Sequence, residues 1–424
     1  MRKVLLSVFI GMGLLLSATT SLWAGEVDVL LEILVDKGIL SPVEAATVKK
    51  ETEQYVSEEL KKGASYAVPK WVQSIKLKGD LRTRYQYEMR EQSLANRHRA
   101  RIRARLGLIA NVNDNVEVGV GLASGGSDPR STNQTLQDTF SHKGINLDYA
   151  YFKWLVSQLK GVTLVGGKFE RKDYLWAPTD LLWDGDINPE GASVSYQTKL
   201  MDGVDLWLNG GVWVLDEREV TSASVPHNDP ILKYIQAGLG FKEGIMDGKA
   251  AVTYYIPKYI RNINLDNDSE TNTGTPSSGL ESSYRSIAFG TEVGLNEPFG
   301  GLPFGIDQRI AVFGEYIKNT ADHYVTDDLT GHAFGFLFGH KKVAGPGTWQ
   351  FKYIKAKLGQ DAWIDAFPDS DRFGGATDIE SHEGILEIGL SKNVNLGLDY
   401  YKTWRKGSPD NKERLLQADI VFKF

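Results

Sequence analysis

Cysteine is absent from all 424 residues, so no disulfide braces the chain and no thiolate can hold a metal or act as a nucleophile. No stretch reaches eighteen consecutive apolar residues, which excludes a helical membrane span. The seven histidines show no metal-ligand spacing, and neither a Gly-x-Ser-x-Gly elbow nor a His-Glu-x-x-His pair occurs. No repeat of 20–50 residues is visible, which removes propellers and solenoids. Methionine is scarce, at five residues, while glycine (44), tyrosine (18) and tryptophan (10) are plentiful. That balance suits a closed sheet with aromatic girdles. The net charge of −6 says little, because charge is segregated by position.

The segregation is clearest between Ile75 and Val112. Ile75, Leu77, Leu81, Tyr85, Tyr87 and Met89 fall on one parity, and Lys76, Lys78, Asp80, Arg82, Arg84, Gln86, Glu88 and Arg90 on the other. The pattern repeats with His98, Ala100, Ile102, Ala104, Leu106 and Leu108 against Arg97, Arg99, Arg101, Arg103 and Arg105. Period two is a β-strand signal, since successive side chains point to opposite faces. A helix would scatter the five arginines around its circumference. Each arginine on a lipid face at mid-bilayer would cost about 2–4 kcal/mol, so these side chains must face water or protein. Two such strands describe the wall of a water-filled transmembrane barrel.

Met1-Arg2-Lys3, the apolar run Val4–Leu16 and the small residues up to Ala24 read as a signal peptide over 1–24. Residues 25–69 read as a periplasmic helical segment and linker. Leu30, Leu31, Leu34 and Val35 make a short stripe closed by Gly38, and Ser41-Pro42-Val43-Glu44 is a capping box opening a second helix with Tyr55 and Leu60. Gly63–Pro69 is the linker.

Residues 70–424 read as the barrel, all-β and antiparallel. Strands are expected near 73–90, 96–112, 115–124, 145–156, 161–170, 191–199, 203–215, 231–241, 248–257, 284–295, 306–318, 331–340, 347–358, 382–391, 393–404 and 412–424. That is about 16, an even number, as single-chain bacterial barrels have. The connections alternate between short turns (Asn113-Asp114, Ser157–Lys160, Leu200–Asp202) and long polar loops (Ser124–Gly144, Arg171–Glu190, Asp216–Pro230, Lys258–Ser283, Gln360–Ser381). Asn296–Gly305, with Pro298 and Pro303, is longer than a short turn should be. The final strand carries Leu416, Ala418, Ile420, Phe422 and Phe424 on one face. Phe422 and Phe424 are candidates for the signal that barrel-assembly machinery reads.

Arg82, Arg84, Arg97, Arg99, Arg101, Arg103 and Arg105 are the expected cationic lumen wall. The third long loop holds Asp173, Asp180, Asp184, Asp186 and Glu190 beside Trp176, Leu181, Leu182 and Trp183. Folded inward, it would set carboxylates against the arginines and create a transverse field at the narrowest point. Asp266-Asn267-Asp268 and Asp369-Ser370-Asp371 lack the full calcium-loop spacing and read as solvated loop acids. No metal, cofactor or nucleic-acid partner is expected.

Asn96–Arg101, Ser131–Leu136, Trp183–Gly191 and Asp369-Ser370-Asp371 ahead of Gly374-Gly375 resemble the bacterial "putative porin" family of outer-membrane proteins. With the preceding helical segment, the resemblance covers nearly the whole chain. It implies a Gram-negative outer-membrane diffusion channel for small hydrophilic solutes, without catalysis, set among lipid and lipopolysaccharide and trimeric by analogy with porins of this size. The alternatives are a barrel-scaffold enzyme and a structural or adhesion protein with a closed pore.

Overall fold

The computed structural model describes residues 34–35, 37, 40–48, 50–51, 75–92, 95–218, 228–274, 279–300 and 308–424. The expected signal peptide, the Gly38 cap, Tyr55, Leu60 and the Gly63–Pro69 linker lie outside the described residues, as do parts of the Asp216–Pro230 and Asn296–Gly305 connections. Contacts divide the chain into two units, 1–73 and 74–424.

In the first unit residues 42–48 are helical. The capping box forms in full: the Ser41 N–H donates to Glu44 Oε2 at 2.8 Å, and the Glu44 N–H donates to Ser41 Oγ at 3.3 Å. Two N–H groups that the helix leaves unpaired are thereby satisfied.

The second unit is a barrel. Its strands are β1 (Lys76–Arg90), β2 (Arg97–Asn113), β3 (Val116–Ser124), β4 (Gln134–Thr135), β5 (Ile145–Leu155) and β6 (Val162–Lys168). There follow β7 (Glu190–Met201), β8 (Val204–Val214), β9 (Ile231–Glu243), β10 (Met246–Lys258), β11 (Ser286–Asn296) and β12 (Gln308–Asn319). The last are β13 (Thr330–His340), β14 (Trp349–Leu358), β15 (Ile379–Ser391), β16 (Val394–Arg405) and β17 (Ser408–Lys423). The two-residue β4 is a loop segment laid against β2. The other sixteen strands each pair antiparallel with the next, and β1 pairs with both β2 and β17. At the seam the Gly79 N–H donates to the Phe424 carbonyl at 2.8 Å, and the Phe424 N–H returns to Gly79 at 3.0 Å. Closure leaves no edge strand to aggregate or to sit unpaired in lipid. Every expected strand is present; the largest boundary difference is at β17, which begins at Ser408 rather than 412.

Alternation assigns the faces. On β13, Phe334, Phe336 and Phe338 point outward and are 39–52% exposed in the isolated barrel, while Ala333 just before them is 2% exposed and Leu337 between the last two is 9% exposed. Leu106, Leu108, Val120, Leu239, Val312 and Leu416 continue this outward apolar surface.

The lumen is not uniformly wet. The 169–189 connection packs against the inner faces of the strands, and so does the 359–378 connection, which its polar sequence did not announce. Together they carry an apolar cluster of Leu182, Trp183 and Trp363 against Trp213, Tyr255 and Ile317 of the strands. Trp183 packs edge-on to Trp213 at 5.5 Å and Trp363 at 5.6 Å. Both buried indoles find acceptors, Trp183 Nε1 at Tyr255 Oη (3.1 Å) and Trp363 Nε1 at the Leu182 carbonyl (2.7 Å). Asp369, expected as a solvated loop acid, is instead 6% exposed, because the loop that carries it is folded into the barrel. Asp266 remains on the exposed side of its loop.

Candidate functional site: the lumen between the arginine strands and the inward loops

The seven expected wall arginines all sit on the inward parity of β1 and β2. The antiparallel register sets Arg82 opposite Arg103 and Arg84 opposite Arg101. Like charges directly opposed are destabilising unless something stands between them. Here carboxylates from the same strands and from β17 do so. Asp80 takes Arg103 at 2.8 Å and Arg105 at 2.7 Å. Asp419 receives a bidentate fork from Arg84, Nε at 2.7 Å and Nη2 at 2.8 Å, and lies 3.5 Å from Arg82. Arg99 meets Glu88 at 3.1 Å, and Arg101 donates to Gln86 at 3.1 Å. Arg97 is exposed at the long-loop end of the row. The row is thus an arginine-rich ladder threaded with acids rather than bare positive charge.

The five loop acids separate. Asp186 alone reaches the ladder, with Oδ1 at 3.4 Å from Arg105 and Oδ2 accepting from Thr132 Oγ1 at 2.9 Å. Arg103 and Arg105 outweigh burial and hold its carboxyl below the usual range. Asp184, two residues away, binds the other inward loop, accepting from the Ser370 N–H at 2.9 Å. Burial, and then the Asp186 charge, push it up to about 8. Asp180 pairs with Arg372 of the 359–378 loop at 2.8 Å, and Arg372 also meets Glu383 of β15 at 2.5 Å. Asp173 and Glu190 stand apart from the arginines; Glu190 opens β7, exposed, and binds Lys168 at 2.9 Å. The expectation of five acids on one lip therefore narrows to Asp186, with Asp184 and Asp180 serving the loop–loop contact. Phe422 and Phe424 sit at the short-turn end of β17, Phe424 60% exposed.

Two cavities mark the space beside the ladder. One, about 310 Å³, is lined by Lys78, Asp80, Arg103, Arg105, Asp148 and Glu170. The other, about 240 Å³, is lined by Ser124, Thr132, Asp148, Lys168, Asp186 and Asn188. They share Asp148, and the Arg105–Asp186 pair spans from one to the other. Asp148 was not a candidate on sequence, and a β-bulge brings it there: Gly121 pairs Tyr149 while Leu122 pairs Leu147, leaving Asp148 as the extra residue. The bulge swings it inward, where Asn188 Nδ2 donates to it at 2.9 Å. The sequence signal is a parity break, since Leu147 and Phe152 are both outward. Asp371, placed 3.1 Å from Arg84, was likewise missed as a ladder partner. Among the described residues no group of three His, Asp or Glu side chains could hold a metal ion.

A family model described as "Putative porin" matches residues 90–278 and 258–424. Among solved structures, the high-pH structure of Pseudomonas putida OprB aligns with a TM-score of 0.54 at 12% identity, covering 83% of this chain and 95% of that one. A mutant of the Rhodopseudomonas blastica porin gives 0.44 at 12% identity, over 82% of this chain and all of that one. No curated protein matches the chain.

Proposed function

The chain belongs to the putative porin family and is an outer-membrane β-barrel of porin type, and from that premise we propose that small hydrophilic solutes and ions cross it passively, beside the arginine ladder and past Asp186. The observation that carries this is the pair of cavities meeting at Arg105, Asp148 and Asp186. Positive and negative groups on opposite sides of a narrow aqueous path create a field that favours dipolar solutes over apolar ones. The apolar faces of the inward loops are consumed by packing against β8–β15, which leaves the ladder side as the polar route.

This reading needs no catalysis, cofactor or metal. It places the barrel in the outer membrane of a Gram-negative cell after export by a signal peptide over 1–24, with assembly read from Phe422 and Phe424. Trimerisation and contact with lipopolysaccharide belong to the same proposal.

Planar-bilayer recording of the purified protein under a KCl gradient tests it. Stepwise conductance with an anion-signed reversal potential is the expected result. A silent protein would transfer the assignment to a closed barrel plugged by its own loops, a reading favoured by the buried Trp183–Trp363 cluster.

A further inference from the structure

Side chains directly opposite across two strands stand only about 5 Å apart, and sheets avoid like charge there. The outer surface of β14–β17 does not. The register sets Lys355 opposite His382, His382 opposite Lys402, and Lys402 opposite Arg414, so four basic side chains form one row across four strands. Their outward direction is fixed by their neighbours of opposite parity: Ile354, Ala356, Glu383, Tyr401 and Glu413 are all buried on the lumen side. The lumen ladder neutralises its opposed arginines with interleaved acids, and this row does not. Among the described residues the side chains of Lys355 and Lys402 have no hydrogen-bond or ion-pair partner. His382 meets Tyr353 Oη, and Arg414 reaches Glu91 at 3.5 Å.

The row lies on a boundary. On its short-turn side the outward residues are apolar or aromatic, as with Tyr353, Leu386, Tyr400 and Leu416. On its long-loop side the next outward row is Lys357, Glu380, Trp404 and Lys412, polar apart from the one indole, with the Lys357–Glu380 pair at 3.0 Å. Arg414 is ten residues from Phe424. At ~3.3 Å per residue and ~40° of tilt that is ~25 Å, the height of the lipid-facing band. Basic side chains just above such a band meet headgroups rather than acyl chains.

We propose that Lys355, His382, Lys402 and Arg414 bind the phosphate groups of a phosphorylated lipid headgroup in the leaflet on the long-loop side, its acyl chains lying along Leu398, Tyr400 and Leu416. This rests on the reading of the barrel as an outer-membrane porin and adds the surface and the chemistry recognised. A phosphorylated headgroup supplies the acids the row lacks. Lysines act on it as point charges and Arg414 as a fork matched to phosphate oxygens. The contiguous apolar face selects a lipid over free phosphate.

The test is native mass spectrometry of the delipidated full-length protein in nonionic detergent. Bisphosphorylated lipid A, the same lipid dephosphorylated, and inorganic phosphate are the probes. The wild type is expected to retain bisphosphorylated lipid A at least tenfold better than the dephosphorylated form, undisplaced by equimolar phosphate. K355Q/K402Q/R414Q is expected to lose about tenfold and K402Q about threefold, the single variant serving if the triple one does not assemble. Equal retention by wild type and K402Q, equal binding of the dephosphorylated lipid, or displacement by phosphate would each overturn the proposal. Bilayer conductance of the same samples is a separate readout. It is expected to be unchanged in the variants, and its absence in the wild type would overturn the porin reading without touching the lipid comparison.

Discussion

Arg105 touches carboxylates on both of its sides, Asp80 of β1 at 2.7 Å and Asp186 of the inward loop at 3.4 Å. The first contact lies within the wall. The second crosses from wall to loop, which on the proposed solute path sets the two signs of charge on different elements. Two unit charges ~5 Å apart in water interact by ~0.8 kcal/mol, about a fourfold factor in relative permeability. D186N should therefore raise the anion-to-cation permeability ratio by about that factor, and R105S should lower it comparably. R101S/R103S should weaken anion preference further, and all of these differences should shrink at molar salt, where the screening length is ~3 Å. Reversal potentials under a KCl gradient give the answer. Identical values for wild type, D186N and R105S would remove the pair from the solute path.

Trp183 fastens the 169–189 loop inside the barrel, stacked on Phe367 at 4.8 Å and edge-on to Trp213 and Trp363. Truncating a buried tryptophan to alanine costs about 3–5 kcal/mol of packing. The closed ladder of sixteen strands does not depend on that contact. W183A should therefore keep a barrel that resists unfolding in SDS while its single-channel conductance rises and becomes noisier. A variant with wild-type conductance would show that the loop is held by its polar contacts instead.

Phe424 combines two roles that a pair of variants separates. Its backbone closes the seam with Gly79, and its ring lies over Gly79, where an added Cβ would come within 2.6 Å of the ring and 2.5 Å of the Arg105 carbonyl. G79V should thus fail to close, both in cells and on refolding in detergent. F422A/F424A keeps the backbone ladder, so it should refold normally in detergent while its outer-membrane level falls. Equal loss of both variants in both assays would assign the phenylalanines to closure alone.

Much of the barrel is legible in the sequence because lipid and water impose period two on every strand, and that pattern needs no tertiary information. The common face of the five β2 arginines followed for the same reason: residues of one parity share one side of a strand, and five guanidinium groups there must face water or protein. Asp80 and Asp419 share that inward parity, but their pairing with Arg103 and Arg84 depends on register across β1, β2 and β17, which alternation leaves open. Asp148 escaped because one bulged residue reverses its face. The 359–378 loop escaped because its inward course is fixed by Trp363, Asp361 and Asp365, and a polar loop sequence reads alike whether its acids meet water or buried N–H groups. Asp361 and Asp365 do the latter, accepting from the Thr273 N–H at 2.9 Å and from the Thr271 N–H at 2.6 Å.

Asp184 gives the loop contact a pH dependence with a definite sign. Its carboxyl joins the two inward loops through the Ser370 N–H, and burial followed by the Asp186 charge raises it to about 8 from an unfolded value of 3.8. A folded state that favours the protonated form gains its full stabilisation below about pH 4, loses it progressively as pH rises, and has none left above about 8. Asp186 does not move in step, because Arg103 and Arg105 outweigh its burial and hold its carboxyl below the usual range, so it is already ionised between pH 6 and 9. At alkaline pH two adjacent charges therefore face each other in a dry contact, and the junction of the loops weakens. Open-channel current noise and brief closures should increase between pH 6 and 9 in the wild type. D184N, which keeps an acceptor for the Ser370 N–H and cannot ionise, should stay quiet over the same range. Superimposable pH profiles for the two proteins would show that Asp184 does not govern the junction, and that the Asp180–Arg372–Glu383 contact holds the loops by itself.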